Sequence, residues 1–321
     1  MGWAADEFKE IKLGDKRLDK RMIKLCDTLS ESPESPINQA CEDWGETKAA
    51  YRFFNNENVD SEQILSVHRT KTAERATKEE TILVAQDTSY FIYSNHVKTK
   101  GLGDLGYKKG NNDEKIYSKG LGAYFFSPNN PKHGTQALPD VTMYAIHALE
   151  QFPPEGETPI EWILLTNIPV TTLDEAKEKI HWYSMRWRIE MFFKILKSGF
   201  KVESCRLGDS KRLIRYLTVM SIIAWRLFMI TLIARTDPTI SCSIFLSDSE
   251  WKVLGLKMLH QNISSKPPTI SEAVILIAKL GGFLARKSDG SPGTLVLWRG
   301  WKKLIDLAEG WELARRSDTC G

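Results

Sequence analysis

The sequence lacks the cysteine spacings of a metal finger or a disulfide-stapled domain. Its five cysteines, Cys26, Cys41, Cys205, Cys242 and Cys320, are scattered along 321 residues with no CxxC pair and no Cys/His cluster. This excludes a zinc scaffold and a disulfide framework, and the thiols read as ordinary cytosolic ones. A strong charge of one sign is missing as well. With a net charge of +3, any affinity for nucleic acid has to come from where the basic side chains sit. The opening MGWAADEFKEIKLGDKR has no apolar stretch of signal-peptide length, so a cytoplasmic location is expected. No internal repeat or low-complexity tail occurs.

Long apolar runs are scarce too. The one candidate, YLTVMSIIAWRLFMITLIA at 216–234, would place Arg226 near a bilayer centre at a cost of about 2.5–3.5 kcal/mol. A core helix with Arg226 paired is therefore expected, and no membrane partner. What is present is a 42% hydrophobic composition, enough to build a substantial core in one to three domains.

Over residues 13–29, LGDKRLDKRMIKLCDTL sets Leu18, Met22, Leu25 and Leu29 on one helical face and Arg17, Lys20, Arg21 and Lys24 on another. Pro33 and Pro36 end it, and two more helices meeting at 55–58 complete a small helical unit over residues 1–75. The composition then changes. An unbroken apolar run at 82–85, ahead of Gln86 and Asp87, has the pattern of a strand buried on both faces. Further strands are expected at GLGAYFF (120–126), VTMYAIHAL (141–149) and EWILLTNIP (161–169), separated by loops at 101–115, 127–139 and 152–159. Thr172 and Glu175 form a capping-box signature, so a helix should start there and run to Gly199. A C-terminal helical region over 250–317, interrupted by LGGF at 280–283, closes the chain.

The 172–199 helix carries the densest chemistry. At about 100° per residue, Tyr183, Arg186, Glu190 and Lys197 fall at about 0, −60, −20 and −40°, within one narrow arc. Beside it Ile189, Phe193, Leu196 and Phe200 form an apolar stripe that would seat the helix on a sheet. Glu190, with Asp87 at the end of a buried strand, supplies oxygen ligands for Mg²⁺ or Mn²⁺, hard ions that accept few protein ligands. Arg186 and Lys197 would then bind phosphate, as two-metal phosphodiester chemistry requires. The alternative is a solvated ion-pair face on one helix, with Asp87 serving only as a turn former or cap.

Tyr183, Arg186, Glu190 and Lys197 at these spacings resemble the YREK signature of a group of bacterial insertion-sequence transposases. The group includes the transposase of the composite kanamycin-resistance transposon. The resemblance extends to LGDKRLDKR near residue 15, AAYRFFNN at 49–56, QDTS at 86–89, GETPIEWILLT at 156–166, and LGGF at 280–283 followed by WRGWKKL. It spans nearly the whole chain.

The resemblance implies an α/β protein: a ribonuclease H-like catalytic domain at 76–240 with a remnant of an inserted β-subdomain. A helical DNA-end-binding domain at 1–75 and a helical dimerisation region at 241–321 flank it. The implied partners are double-stranded transposon ends and a second transposase copy, in a bacterial cytoplasm at the nucleoid, with Mg²⁺ or Mn²⁺ as cofactor. Two Asp and one Glu would serve nicking, hairpin formation and strand transfer. Asp87 matches the first Asp and Glu190 the Glu, both metal ligands. Tyr183, Arg186 and Lys197 match residues that grip DNA near the cut, and Trp162 matches a tryptophan that handles a flipped base. A flipped base needs an aromatic platform, although a strand tryptophan also serves in cores. The basic face of Arg17, Lys20, Arg21 and Lys24 has the distribution of phosphate contacts, or of a solvated face balanced by Asp15, Asp19 and Asp27.

The second Asp of the family has no counterpart. Only 103 residues separate Asp87 from Glu190, far short of the family's spacing, and the join falls within SPNNPKHGTQALPD. Asp140 precedes a strand instead of ending one, and Asp104, Asp113 and Glu114 lie in a Gly/Asn loop, so all are poor substitutes. The expectation is an internally deleted transposase, defective in cleavage. The alternatives are a non-catalytic DNA-binding and dimerising remnant that inhibits intact transposase, or an unrelated basic α/β protein with a coincidental signature.

Overall fold

The computed structural model describes residues 3–41, 43–77, 79–93, 95–102, 116–117, 142–259 and 266–318. They fall into two compact units: one from 1–80, 90–118 and 192–321, the other from 81–89 and 119–191.

The first unit begins with α1 (Trp3–Glu7), α2 (Lys16–Glu31), α3 (Ile37–Ala40), α4 (Trp44–Asn55) and α5 (Ser61–Ala76). Aspartates set their starts: Asp15, Asp43 and Asp60 accept backbone N–H groups from the first turns of α2, α4 and α5, satisfying donors the helix cannot. α2 buries Met22, Leu25, Cys26 and Leu29 along the expected face. α1 is tied to α5 through Glu7, whose carboxylate accepts from Arg75 Nη1 at 2.9 Å and lies 2.6 Å from His68 Nδ1. Burial alone would raise the Glu7 pKa, but the hydrogen bonds to His68 and Arg75 outweigh it and hold the carboxyl below its ordinary value.

That sign fixes a pH effect. Stability from this tie is complete above the pKa of an unfolded glutamate and is lost as pH falls through the lower folded value. Glu7→Gln is expected to lower neutral-pH stability by about 2–3 kcal/mol and to flatten the acid limb of the stability profile. Urea titrations at several pH values would read it, and an unchanged acid limb would refute the assignment.

Two strands, β1 (Phe91–Ile92) and β2 (Ile116–Tyr117), pair antiparallel in this unit. The other unit holds β3 (Tyr144–Leu149) and β4 (Glu161–Thr166), paired antiparallel with Ile146 opposite Leu164 and Ala148 opposite Trp162. Both fall within the segments where strands are expected. On one face Ile146 is buried, while on the other Ile163 and Leu165 are 68% and 67% exposed. The second unit continues with α6 (Leu173–Ser184), started by a reciprocal Thr172–Glu175 capping box, and α7 (Trp187–Lys194) begins in it.

Two expectations need correction. Residues 82–85 form no strand and are exposed; an apolar run becomes a buried strand only where partners cover both faces, and none does so among the described residues. The helix from Thr172 does not run unbroken to Gly199. It tightens at Arg186, whose N–H donates to the Tyr183 carbonyl, and it widens into a π turn over Ile195–Gly199. The 100° arithmetic therefore does not carry from Glu190 to Lys197. The strands of the described residues pair as two two-stranded sheets. The expected strand at 120–126, the join within 127–140 and Asp104, Asp113, Glu114 and Asp140 lie outside the described residues.

α8 (Ser210–Thr236) is the core of the first unit, buried without a break over 216–224. This is the expected alternative to a membrane span. Arg226 donates to the Phe245 carbonyl at 3.0 Å and lies 5.0 and 5.3 Å from the rings of Trp3 and Trp301. Desolvation there draws its pKa down to about 10. The C-terminal region is α9 (Asp248–Leu259), α10 (Ile270–Leu280) and α11 (Thr294–Asp318). α10 and α11 meet through glycine: a Cβ on Gly281 would stand 1.8 Å from the Val296 carbonyl oxygen, and one on Gly300 1.6 Å from that of Ile277. Gly282 in the same LGGF motif sits at φ 99°, a left-handed conformation that glycine adopts without a Cβ penalty. Cys26, Cys41, Cys205 and Cys242 are free thiols.

Candidate active site and nucleic-acid interface

Asp87 and Glu190 meet on one guanidinium. Arg186 sits where α6 gives way to α7. Its Nη1 donates to Asp87 Oδ2 and its Nη2 to Glu190 Oε1, both at 2.9 Å. The hydrogen bond to Glu190 is the main reason the Arg186 pKa rises. Each of the three side chains is about one-third exposed, at 34–36%, so they line an open surface that solvent and a large substrate can reach. Asp87 Oδ1 also accepts from the Thr88 backbone N–H at 2.8 Å, which fixes the carboxylate on its unpaired segment.

Aromatic rings extend the cluster. The Arg186 guanidinium carbon lies 5.9 Å from the Tyr183 ring centre, and Tyr183 meets Trp162 edge-on at 5.1 Å. Trp162 thus projects from β4 on the half-buried face of its sheet. Lys197 belongs to the other unit, in the π turn, with its ammonium 5.5 Å from the Phe91 ring. π turns are frequent at functional sites.

No group of three or more potential metal-ligating side chains occurs among the described residues. Asp87 and Glu190 nevertheless fit a hard divalent ion in part. They offer carboxylate oxygens on one solvent-reached surface, and Mg²⁺ ordinarily keeps several waters beside one or two protein carboxylates.

The basic face of α2 is partly neutralised. Glu46 of α4 accepts from Arg21 at 2.6 Å and from Lys24 at 2.8 Å, and Arg17, though 91% exposed, pairs with Asp15. Lys20 is exposed. A second stripe went unnoticed in the sequence: Trp44, Lys48, Tyr51, Arg52 and Asn55 of α4 are all exposed, Trp44 to 76%. Their spacing of 4, 3, 1 and 3 residues is that of one helical face, a signal the sequence does contain. Among the described residues Lys48 and Arg52 have no ion-pair partner.

Two acids gathered on an arginine at an open surface, in a chain whose N-terminal helices turn a basic and aromatic stripe to solvent, fit a class of proteins that work on nucleic-acid phosphodiesters. Comparison with family models specifies it. Residues 47–225, more than half of the chain, match the transposase DDE domain, and the protein belongs to that family. Residues 1–59 match the transposase DNA-binding family and residues 222–321 the Tn5-type transposase dimerisation domain. The protein is thus a DNA transposase by family, with DNA and a second transposase chain as partners, and a DDE domain implies a divalent cation.

Proposed function

We propose that the protein binds the double-stranded ends of an insertion-sequence element, dimerises, and carries an incomplete set of catalytic carboxylates. The observation behind this reading is the convergence of Asp87 and Glu190 on Arg186 within the DDE match. Asp87 and Glu190 are the first and last acids and would hold Mg²⁺ or Mn²⁺, which would supply activation of an attacking hydroxyl at one ion and stabilisation of the leaving oxygen at the other. Arg186 and Tyr183 hold the DNA strand beside them, Trp162 offers its ring to a base turned out of the stack, and Lys197 is a further DNA contact.

In this reading residues 76–240 are a ribonuclease H-like domain of the YREK group that has lost its middle. It works between a DNA-end-binding region (1–75) and a dimerisation region (241–321), at the nucleoid of a bacterial cytoplasm. The second Asp is gone with the missing segment, so the site has two of its three acids. A duplex bearing the element's ends, incubated with the protein and Mn²⁺, is expected to be bound and left uncut. Robust double-strand cleavage would show that another acid completes the set.

A second reading is favoured by the dimerisation match at 222–321. The chain pairs with intact transposase and poisons it. Titrating it into an intact enzyme is then expected to depress cleavage in proportion to mixed dimers formed; undiminished cleavage at excess would exclude this role.

A further inference from the structure

The guanidinium that gathers the two acids also stands in the way of the ion they are proposed to bind. Each of its outer nitrogens is 2.9 Å from a carboxylate oxygen, Asp87 Oδ2 on one side and Glu190 Oε1 on the other. A Mg²⁺ ion needs such oxygens about 2.0–2.1 Å from one centre, and a planar fork of N–H groups cannot remain between them. Charge points the same way. With Arg186 in place the cluster sums to −1, and a divalent ion would enter against a positive charge a few ångströms off.

We propose that Arg186 is the resident counter-ion of the metal-free acids, and that it leaves them when a divalent ion enters, passing its guanidinium to a phosphate of bound DNA. The proposal rests on the metal and DNA reading above. The side chain is about one-third exposed and extends from the turn between α6 and α7, so rotation about its own bonds suffices to move it. One arginine then couples two ligands. DNA that draws Arg186 away frees the carboxylates, and an ion that displaces Arg186 frees it for phosphate, with equal coupling in both directions.

The test is Mn²⁺ titration of the full-length protein, followed by electron paramagnetic resonance, with and without duplex DNA at low salt. Free Arg186→Gln is expected to bind Mn²⁺ about tenfold more tightly than wild type, since a nearby positive charge is removed. DNA should tighten Mn²⁺ binding by wild type and leave Arg186→Gln unchanged. Asp87→Asn and Glu190→Gln should abolish Mn²⁺ binding in both backgrounds, leaving the free-ion signal undiminished. Equal affinity of the free wild type and Arg186→Gln, or an equal gain with DNA in both, overturns the role of Arg186 while the metal reading stands. Mn²⁺ binding that ignores Asp87→Asn and Glu190→Gln, or no binding by any variant, removes the metal reading and this role with it.

Discussion

Gly300→Ala is expected to destabilise the first unit by about 3 kcal/mol or more, a large loss for a single methyl group. The added Cβ would lie 1.6 Å from the Ile277 carbonyl oxygen and 2.6 Å from its carbon, and both atoms belong to the backbone of α10. No rotamer change relieves such a clash; the two helices have to separate. The opposing Gly281 is pressed in the same way against Val296, so the contact is a mutual one between main chains. A shift of Tm by roughly 6–12 °C follows for a unit of this size, readable by circular dichroism. Gly310, on the exposed side of α11 with nothing within 4 Å of its would-be Cβ, is the control. Alanine there should stabilise by up to about 1 kcal/mol through helix propensity. Equal melting temperatures for the two variants would show that the close approach is not what holds α10 to α11.

The second large effect concerns DNA. The double substitution Lys48→Ala/Arg52→Ala is expected to weaken duplex binding by about 10–100-fold at low salt. It should also lower the slope of log K against log salt by about 2, since two phosphate contacts are lost. The reason is availability. Arg21 and Lys24 are already engaged by Glu46, and Arg17 by Asp15, so their charges are partly spent within the fold, whereas those of Lys48 and Arg52 face solvent beside Trp44 and Tyr51. Electrophoretic mobility shifts across a salt series separate the two faces. If Arg17→Ala/Lys20→Ala flattens the slope and the α4 pair does not, α2 carries the DNA instead.

Elements defined by their own local chemistry were legible in the sequence. The capping box of α6, the amphipathic stripe of α2 and the strands β3 and β4 depend on neighbours a few residues away, and these took the expected form. The run at 82–85 did not, because its fate depends on a partner strand and not on its own composition. The break at Arg186 has no glycine or proline to announce it; it is made by the Tyr183 carbonyl accepting three residues on instead of four. At the candidate site, Asp87 and Glu190 stood out by pattern and by resemblance, and their shared guanidinium did not, since nothing in spacing links position 87 to 186. The stripe on α4 is written in the sequence at helical period, with acidic Asp43 and Glu46 beside its basic residues.

The cation held between Trp3 and Trp301 joins the two ends of the chain, and this sets the order in which the protein can be completed during its own synthesis. Translation proceeds at about 5–20 residues per second, so roughly 15–60 s pass between the emergence of Trp3 and that of its distant neighbours. Through that interval α1 and α2 exist as nascent helices whose apolar faces await α8 and α11. The N-terminal core is therefore made early and closed late, which exposes it to chaperones and proteases until α11 has emerged from the ribosome.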